Sequence, residues 1–168
     1  MTAAGLAGRP PVEADWEDWR ALMADPRVAA TLGGLRSDAE MRAGFDRALR
    51  RWSEDGFGWW TFRDTAGRFV ARGGLGRVAV EGVSEVEVGY SVRASLWGRG
   101  IATAMARVSL EVGFGQLGLQ RIVSFTLPYN LRSRRVMEKA GLRYERDIVH
   151  AGMPHVLYAV TPSDRPDR

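Results

Sequence analysis

The 168-residue chain contains no cysteine. It can therefore form neither disulfides nor thiolate metal sites. Histidine is almost as scarce: His150 and His155 are the only two, both near the C-terminus, which argues against a histidine-built metal centre. Lysine is nearly missing too, with Lys139 alone against 23 arginines. No run of 18 apolar residues occurs, so no membrane span is expected. The opening stretch Met1 to Pro10 lacks an apolar core of secretory length, and the cytoplasm is the expected location. No internal repeat or low-complexity linker divides the chain.

Hydrophobic residues make up 45% and charged residues 26%, an ordinary mixture for a soluble globular protein. Residues 1–168 are expected to form a single domain, with a weak first strand over 1–10 and a flexible tail over 161–168. The net charge of +4 raises nucleic acid as a partner. The arginines are scattered rather than clustered, and their excess over lysine is what GC-rich coding imposes. An Arg-rich nucleic-acid binder is therefore kept only as an alternative.

Asp15 to about Ala30 shows helical spacing in Trp16, Trp19, Leu22 and Met23, interrupted by Pro26. Ser37 followed by Glu40 reads as a capping box. Met41, Phe45, Ala48, Leu49 and Trp52 then share one helix face that ends at Asp55-Gly56. Strand-like runs follow at 58–63 and from Phe69, with turn chemistry between them at 64–67. Val86, Val88, Tyr90 and Val92 alternate strictly. A helix to about Leu117, a strand over 121–127, a helix over 130–140 closed by Gly141, and strands over 144–150 and 155–160 complete the order.

The most informative stretch is Gly89 to Met105, where an alternating strand enters a glycine-spaced turn that opens onto an apolar helix. Gly98 and Gly100 let the backbone approach a ligand closely. The helix start behind them offers unpaired N–H groups and partial positive charge. Together they predict an anion cradle for a phosphorylated cofactor. Taken singly, such a turn can be a mere tight connection, and Asn130 a simple N-cap.

Two motifs and the element order resemble the GNAT superfamily of acetyl-CoA-dependent N-acetyltransferases. Trp97-Gly-Arg-Gly-Ile-Ala102 is similar to its Gln/Arg-x-x-Gly-x-Gly/Ala signature. Asn130-Leu-Arg-Ser133, continuing through Val136, Glu138, Lys139, Gly141 and Leu142, is similar to the Asn-x-x-Ser…Glu-Lys-x-Gly-Phe pattern of the branch containing the ribosomal-protein N-terminal acetyltransferases. Trp97 and Ala102 depart from the commonest residues as that branch does. Glu87-Val-Gly-Tyr90 also matches its strand entering the turn, and Leu6 to Met23 weakly resembles its opening strand and helix.

The resemblance implies an α/β single-domain GNAT fold, with a central mostly antiparallel mixed sheet flanked by helices and splayed at the cofactor site. It implies acetyl transfer from acetyl-CoA to a primary amine, either a protein N-terminus or a small molecule, with no metal. Backbone N–H groups of Trp97, Gly98, Arg99, Gly100, Ile101 and Ala102, and the Thr103 hydroxyl, would hold the pyrophosphate. Ser91 and Val92 would pair with the pantetheine arm, a backbone N–H there polarising the thioester carbonyl, and Asn130 would bond the arm from the other side. Glu87 is the implied general base, the plainer reading being a solvated strand carboxylate or a proton relay through water. Ser133 is the implied donor to the leaving thiolate, the plainer reading being a first-turn cap; Met137 occupies the position where many relatives carry a tyrosine. Trp16, Trp19, Trp52, Trp59 and Trp60 read as core or groove lining, and His155 as packing or surface. A non-catalytic acyl-CoA-binding module is the main alternative, and the sequence leaves the oligomeric state open, a homodimer included.

Overall fold

Strict alternation gives the strand around Val88 two unlike faces, and that strand lies inside an eight-stranded sheet. The computed structural model describes residues 2–164. Its strands are β1 (Thr2–Ala3), β2 (Leu6–Arg9), β3 (Trp59–Arg63), β4 (Phe69–Val80), β5 (Val83–Val92), β6 (Ile122–Thr126), β7 (Arg143–His150) and β8 (Met153–Val160). Their order is β1-β2-β3-β4-β5-β6-β8-β7. Every pairing is antiparallel except β5–β6. The helices are α1 (Trp16–Ala24), α2 (Pro26–Ala29), α3 (Asp38–Glu54), α4 (Ile101–Glu111) and α5 (Leu131–Ala140).

One face of the sheet receives α4 and α5. Val86 and Val88 pack there with Leu75, Ala106, Leu110, Ile122 and Met137. Val92 joins Trp60, Phe62 and Met105 in the adjoining cluster. The other face carries α1 to α3, where Trp19, Leu22, Val28, Phe45 and Ala48 form a third cluster. The fully buried Trp19 indole donates to Thr61 Oγ1 at 2.9 Å and so fastens α1 to β3. Burial of a ring such as Phe45 contributes about 1.5–3 kcal/mol.

Local signals explain the helix boundaries. Glu40 N–H donates to Ser37 Oγ at 3.3 Å, and Ser37 N–H donates back to Glu40 Oε2 at 2.9 Å. This capping box starts α3, whose buried positions Met41, Phe45 and Ala48 repeat at helical spacing. Pro26 interrupts the first helical pattern as expected, and it does so by opening α2 at the position where its missing N–H is harmless.

Asp15 is buried between β2, β3 and the start of α1. It accepts from Arg9 at 2.7 Å, Val12 N–H at 3.0 Å and Arg63 at 2.9 Å. Burial opposes its ionisation, but these donors outweigh burial and bring its pKa down to about 2.

Four sequence expectations need adjusting. The weak first strand is paired: Ala7 faces Arg63 and Gly8 faces Phe62. Gly8 breaks the apolar alternation because a side chain there would strike the Phe62 ring. The helix expected to reach Leu117 ends its α-helical part at Glu111 and continues as one π-type turn, with Leu117 N–H bonding Val112 C=O at 3.0 Å. Met153 and Pro154, expected in a connection, already belong to β8. Of the expected tail, Pro162–Asp164 forms a short 3-10 turn, and residues 165–168 lie outside the described ones.

Candidate active site

The parallel pairing of β5 with β6 consists of a single register pair, Glu87 with Val123. Ser124 Oγ still reaches Val88 C=O at 2.8 Å, and beyond that the strands part. The result is a cleft of about 530 Å³, within the range of small-molecule and cofactor sites. Glu87, Ser91, Val92, Trp97, Gly98, Arg99, Gly100, Ile101, Ala102, Thr103, Asn130 and Ser133 all line it. Every residue that the resemblance assigned to catalysis or cofactor binding therefore reaches one cavity.

The strand register decides which main-chain groups face that opening. Arg93 N–H donates to Val70 C=O at 3.0 Å. Bonded and non-bonded pairs alternate in an antiparallel ladder, so Ser91 is directed at its partner Arg72 while Tyr90 and Val92 turn their N–H groups away from β4. Val92, and not Ser91, thus carries the N–H on the open side. The Ser91 side chain contributes to the wall instead.

At the cleft's other edge, Gly98 and Gly100 sit at φ +80° and +76°, a left-handed conformation that strains any residue with a Cβ. Gly100 caps α4, and the first helical bond runs from Ala104 N–H to Gly100 C=O at 3.0 Å. The N–H groups of Ile101, Ala102 and Thr103 come before it and are turned to the helix N-terminus. Trp97 differs from expectation. Its N–H is engaged with Ala94 C=O at 3.3 Å, and its indole donates to Val92 C=O at 2.8 Å. It therefore pins the turn to the end of β5 rather than serving the cradle.

Arg132, Arg135 and Lys139 also face the cleft, and Arg132 lies over the Trp97 ring at 5.1 Å. The sequence reading missed them as site residues; their spacing along α5 is the signal that could have found them, because it puts all three on one helix side. Main-chain donors at a helix start, backed by these cations and Arg99, suit a pyrophosphate. The open edge of β5 suits an extended arm that bonds as a strand does. The residues present thus fit acetyl-CoA.

Glu87 is not the solvated carboxylate of the plainer reading. Burial raises its pKa to about 7, against the pull of Arg51 and Arg72. Glu85, two residues earlier on the same face, is neutralised by Arg121 at 3.1 Å. Across the cleft, Tyr90 Oη lies 3.0 Å from Ser133 Oγ and donates to Ser133 C=O at 3.1 Å. Either hydroxyl can be the donor of the Oη–Oγ contact; when Tyr90 donates to Ser133 Oγ, the serine proton is free for a further acceptor. Burial holds the Tyr90 phenol well above its ordinary pKa, so it stays protonated.

Asn130 Oδ1 accepts from Ser133 N–H at 3.2 Å, and its Nδ2 donates to Thr126 Oγ1 at 3.1 Å. Its amide is engaged as the cap of α5, the plainer of its two readings. Met137 is buried in the core. It has no hydroxyl to offer, and the hydroxyls that line this part of the cleft are those of Ser133 and Tyr90. His155 is buried, its Nδ1 lying 3.0 Å from Met153 C=O and its ring edge-on to Phe125.

The remaining wall is assembled from distant segments: Val28, Thr31, Leu32, Trp59 and Phe125. The Trp59 indole can lie along β5 because residue 89 is glycine; a methyl group there would collide with the ring. Only Trp59 among these was anticipated, as groove lining.

The family model described as an acetyltransferase (GNAT) domain matches residues 6–143. The uncharacterized protein YkkB of Bacillus subtilis is 28% identical over 138 residues, covering 82% of this chain and 80% of its own. RimJ of Mycobacterium smegmatis, solved in complex with CoA-disulfide, superposes with a TM-score of 0.75 at 24% identity, covering 96% of this chain and 84% of its own. The aminoglycoside acetyltransferase AAC(6')-Ib, solved with paromomycin and acetyl-CoA, superposes with a TM-score of 0.78 at 16% identity, covering 95% of each chain. These two likenesses are of fold.

Proposed function

Because the chain belongs to the GNAT acetyltransferase family, with acetyl-CoA as its acetyl donor, we propose that it acetylates a primary amine directly, with Glu87 as base and Ser133 as donor to the leaving sulfur. The observation that carries this is the pairing of opposites on one cleft. A carboxyl with a pKa near 7 stands on β5, and a hydroxyl pair, Ser133 of α5 and Tyr90 of β5, lines the same cleft. One group is suited to take a proton at neutral pH and the other to give a hydrogen bond.

Acetyl-CoA supplies a thioester whose carbonyl carbon is attacked by the amine and whose sulfur leaves as a thiolate. The chain's residues do the rest. Glu87 removes the proton that keeps an alkylammonium from being a nucleophile. Val92 N–H, on the open edge of β5, is placed to bond a carbonyl oxygen. Ser133 Oγ–H stabilises departing negative charge, and Tyr90 keeps the serine hydroxyl aimed. The helix start at Ile101 to Thr103, with Arg99, Arg132, Arg135 and Lys139 nearby, holds phosphate and fixes the register of everything bound beyond it.

The proposed acceptor wall of Trp59, Val28, Thr31 and Leu32 is mostly apolar. RimJ and an aminoglycoside acetyltransferase share the scaffold, so a protein N-terminus and a small amine are both compatible with it. The test is calorimetric titration with acetyl-CoA, CoA and NAD, followed by thiol-release assays on an amine panel. Saturable binding of the CoA forms with acetylation of at least one amine supports the reading. Binding without acetylation of any amine would favour the acyl-CoA-binding module instead.

A further inference from the structure

A guanidinium is costly to remove from water, and proteins that do so normally give it a carboxylate. Arg72 of β4 is in direct contact with none, although Glu87 on the neighbouring strand acts on it at longer range. Among the described residues no side chain forms an ion pair or hydrogen bond with it, and its Nε is covered without a partner. Two indoles hold it instead, Trp19 at 4.9 Å and Trp59 at 4.7 Å from the guanidinium carbon. Stacking on aromatic rings stabilises the cation through its faces and leaves its in-plane donors uncommitted.

Arg72 borders a cavity of about 40 Å³ that it shares with a second cation, Arg36. The cavity's one carboxylate, Glu40, is turned into the α3 capping box, where its Oε2 accepts from Ser37 N–H and Ser37 Oγ at 2.9 and 2.7 Å. Two cations therefore meet at a small space whose one carboxylate, though within the field of Arg36, is committed to the capping box. The space is not remote from the chemistry, because Trp59, which covers Arg72, also lines the cleft beside Glu87.

We propose that Arg72 and Arg36 form a seat for a carboxylate carried by the acceptor, so that the acceptor is a short-peptide amine rather than a simple alkylamine. The inference rests on the amine-transfer reading above and specifies its substrate class. A planar guanidinium with free edge donors matches a carboxylate in two-point contact. The length of the acceptor follows from the register. Arg72 faces Ser91 and Gly76 faces Glu87, so the seat and the base lie four residues apart along one sheet face, about 13 Å between their Cα levels. A free α-amino acid is too short to bridge them. An extended peptide advances about 3.3–3.6 Å per residue, so a chain of two to four residues spans the gap once the long Arg72 side chain is counted.

The test compares glycine, diglycine, triglycine and tetraglycine, each as free acid and as C-terminal amide, by CoA thiol release at saturating acetyl-CoA. The acid-to-amide ratio of kcat/KM is the readout. The wild type should prefer the acids by about tenfold or more at the best length, through KM rather than kcat. Arg72→Met should collapse that preference to about twofold or less. Arg36→Ala, a change in a surface loop that the fold tolerates, should reduce it part of the way. Calorimetry with CoA on each variant checks that the cofactor site is intact. Equal use of acids and amides by the wild type, or a preference that survives both substitutions, overturns the seat while leaving amine transfer standing. Acetylation of no peptide and no alkylamine by a CoA-binding enzyme overturns both.

Discussion

Glu87→Gln keeps the size and hydrogen-bonding shape of the side chain and removes its ability to take a proton. An α-amino group has a pKa of about 7.7–8.0 and an alkylamine about 10.4. Passing a proton from an α-ammonium to a carboxylate of pKa about 7 costs about 1 kcal/mol, against about 4–5 kcal/mol for an ordinary carboxylate, at 1.36 kcal/mol per pKa unit. The wild-type rate should therefore rise with pH through about 7 and level off as Glu87 ionises. The variant can use only amine that is already neutral. With an alkylamine its rate should be lower by about 10²–10⁴ at pH 7 and recover about tenfold per pH unit until the amine's own pKa.

Folding stability supplies an independent arm. Because the folded pKa of Glu87 lies above its unfolded value, its contribution is fully present below about 4.5 and is lost as pH rises through about 7. The loss is at most about 3 kcal/mol, a shift from 4.5 to about 7 converted at 1.36 kcal/mol per unit. Glu87→Gln should match the wild type in urea unfolding near pH 4.5 and exceed it at pH 8. Steady-state kcat/KM from pH 5.5 to 10, with unfolding at both pH values, is the assay. A wild-type-to-variant rate ratio that stays constant across pH would falsify the assignment of Glu87 as base. Equal stabilities at pH 8 would refute its raised pKa.

Three further outcomes are expected. Gly100→Val forces a branched side chain into φ +76°, straining the turn by about 1–2 kcal/mol, and should weaken acetyl-CoA binding at least about tenfold by calorimetry; unchanged affinity would sink the cradle. Ser133→Ala and Tyr90→Phe should each lower kcat about tenfold with CoA affinity kept, and the double variant should be no worse than the poorer single; additive losses would mean that the two hydroxyls act separately. Asp15→Asn should destabilise the fold by about 3–5 kcal/mol in urea without changing kcat. Wild-type stability from Asp15 is present above about 3.8 and lost as pH falls toward 2, so the variant should lack that acid limb.

What the sequence made legible is what depends on neighbours in the chain. The Ser37–Glu40 box, Pro26, the alternation of Val86 to Val92 and the glycine turn at Gly98 and Gly100 are local, and each appears where its pattern placed it. What it hid depends on strand order and ladder phase. Nothing near Ser91 says that its main chain is directed at Arg72 while that of Val92 is not. Trp97 looked like part of the cradle because its N–H lies in the motif, yet a bond to Ala94 engages it. The first strand read as weak, and only the Phe62 ring opposite Gly8 supplies the reason for a glycine there. Arg72, Trp59 and Trp19 come from three segments, and only the folded sheet stacks them together.

The single Glu87–Val123 pair between β5 and β6 has a mechanical meaning. The sheet is two plates, β1 to β5 and β6 to β8, joined along a seam with one rung, and the rest of the seam is an open wedge. Whatever fills the wedge acts as a strut. A ligand present at 100 times its dissociation constant adds about 2.7 kcal/mol to the folded state, and here that energy acts across the β5–β6 seam. Amide exchange in β6 and proteolytic nicking should therefore slow as CoA is added, and the lifetime of the chain in a cell would follow the supply of the molecule it consumes.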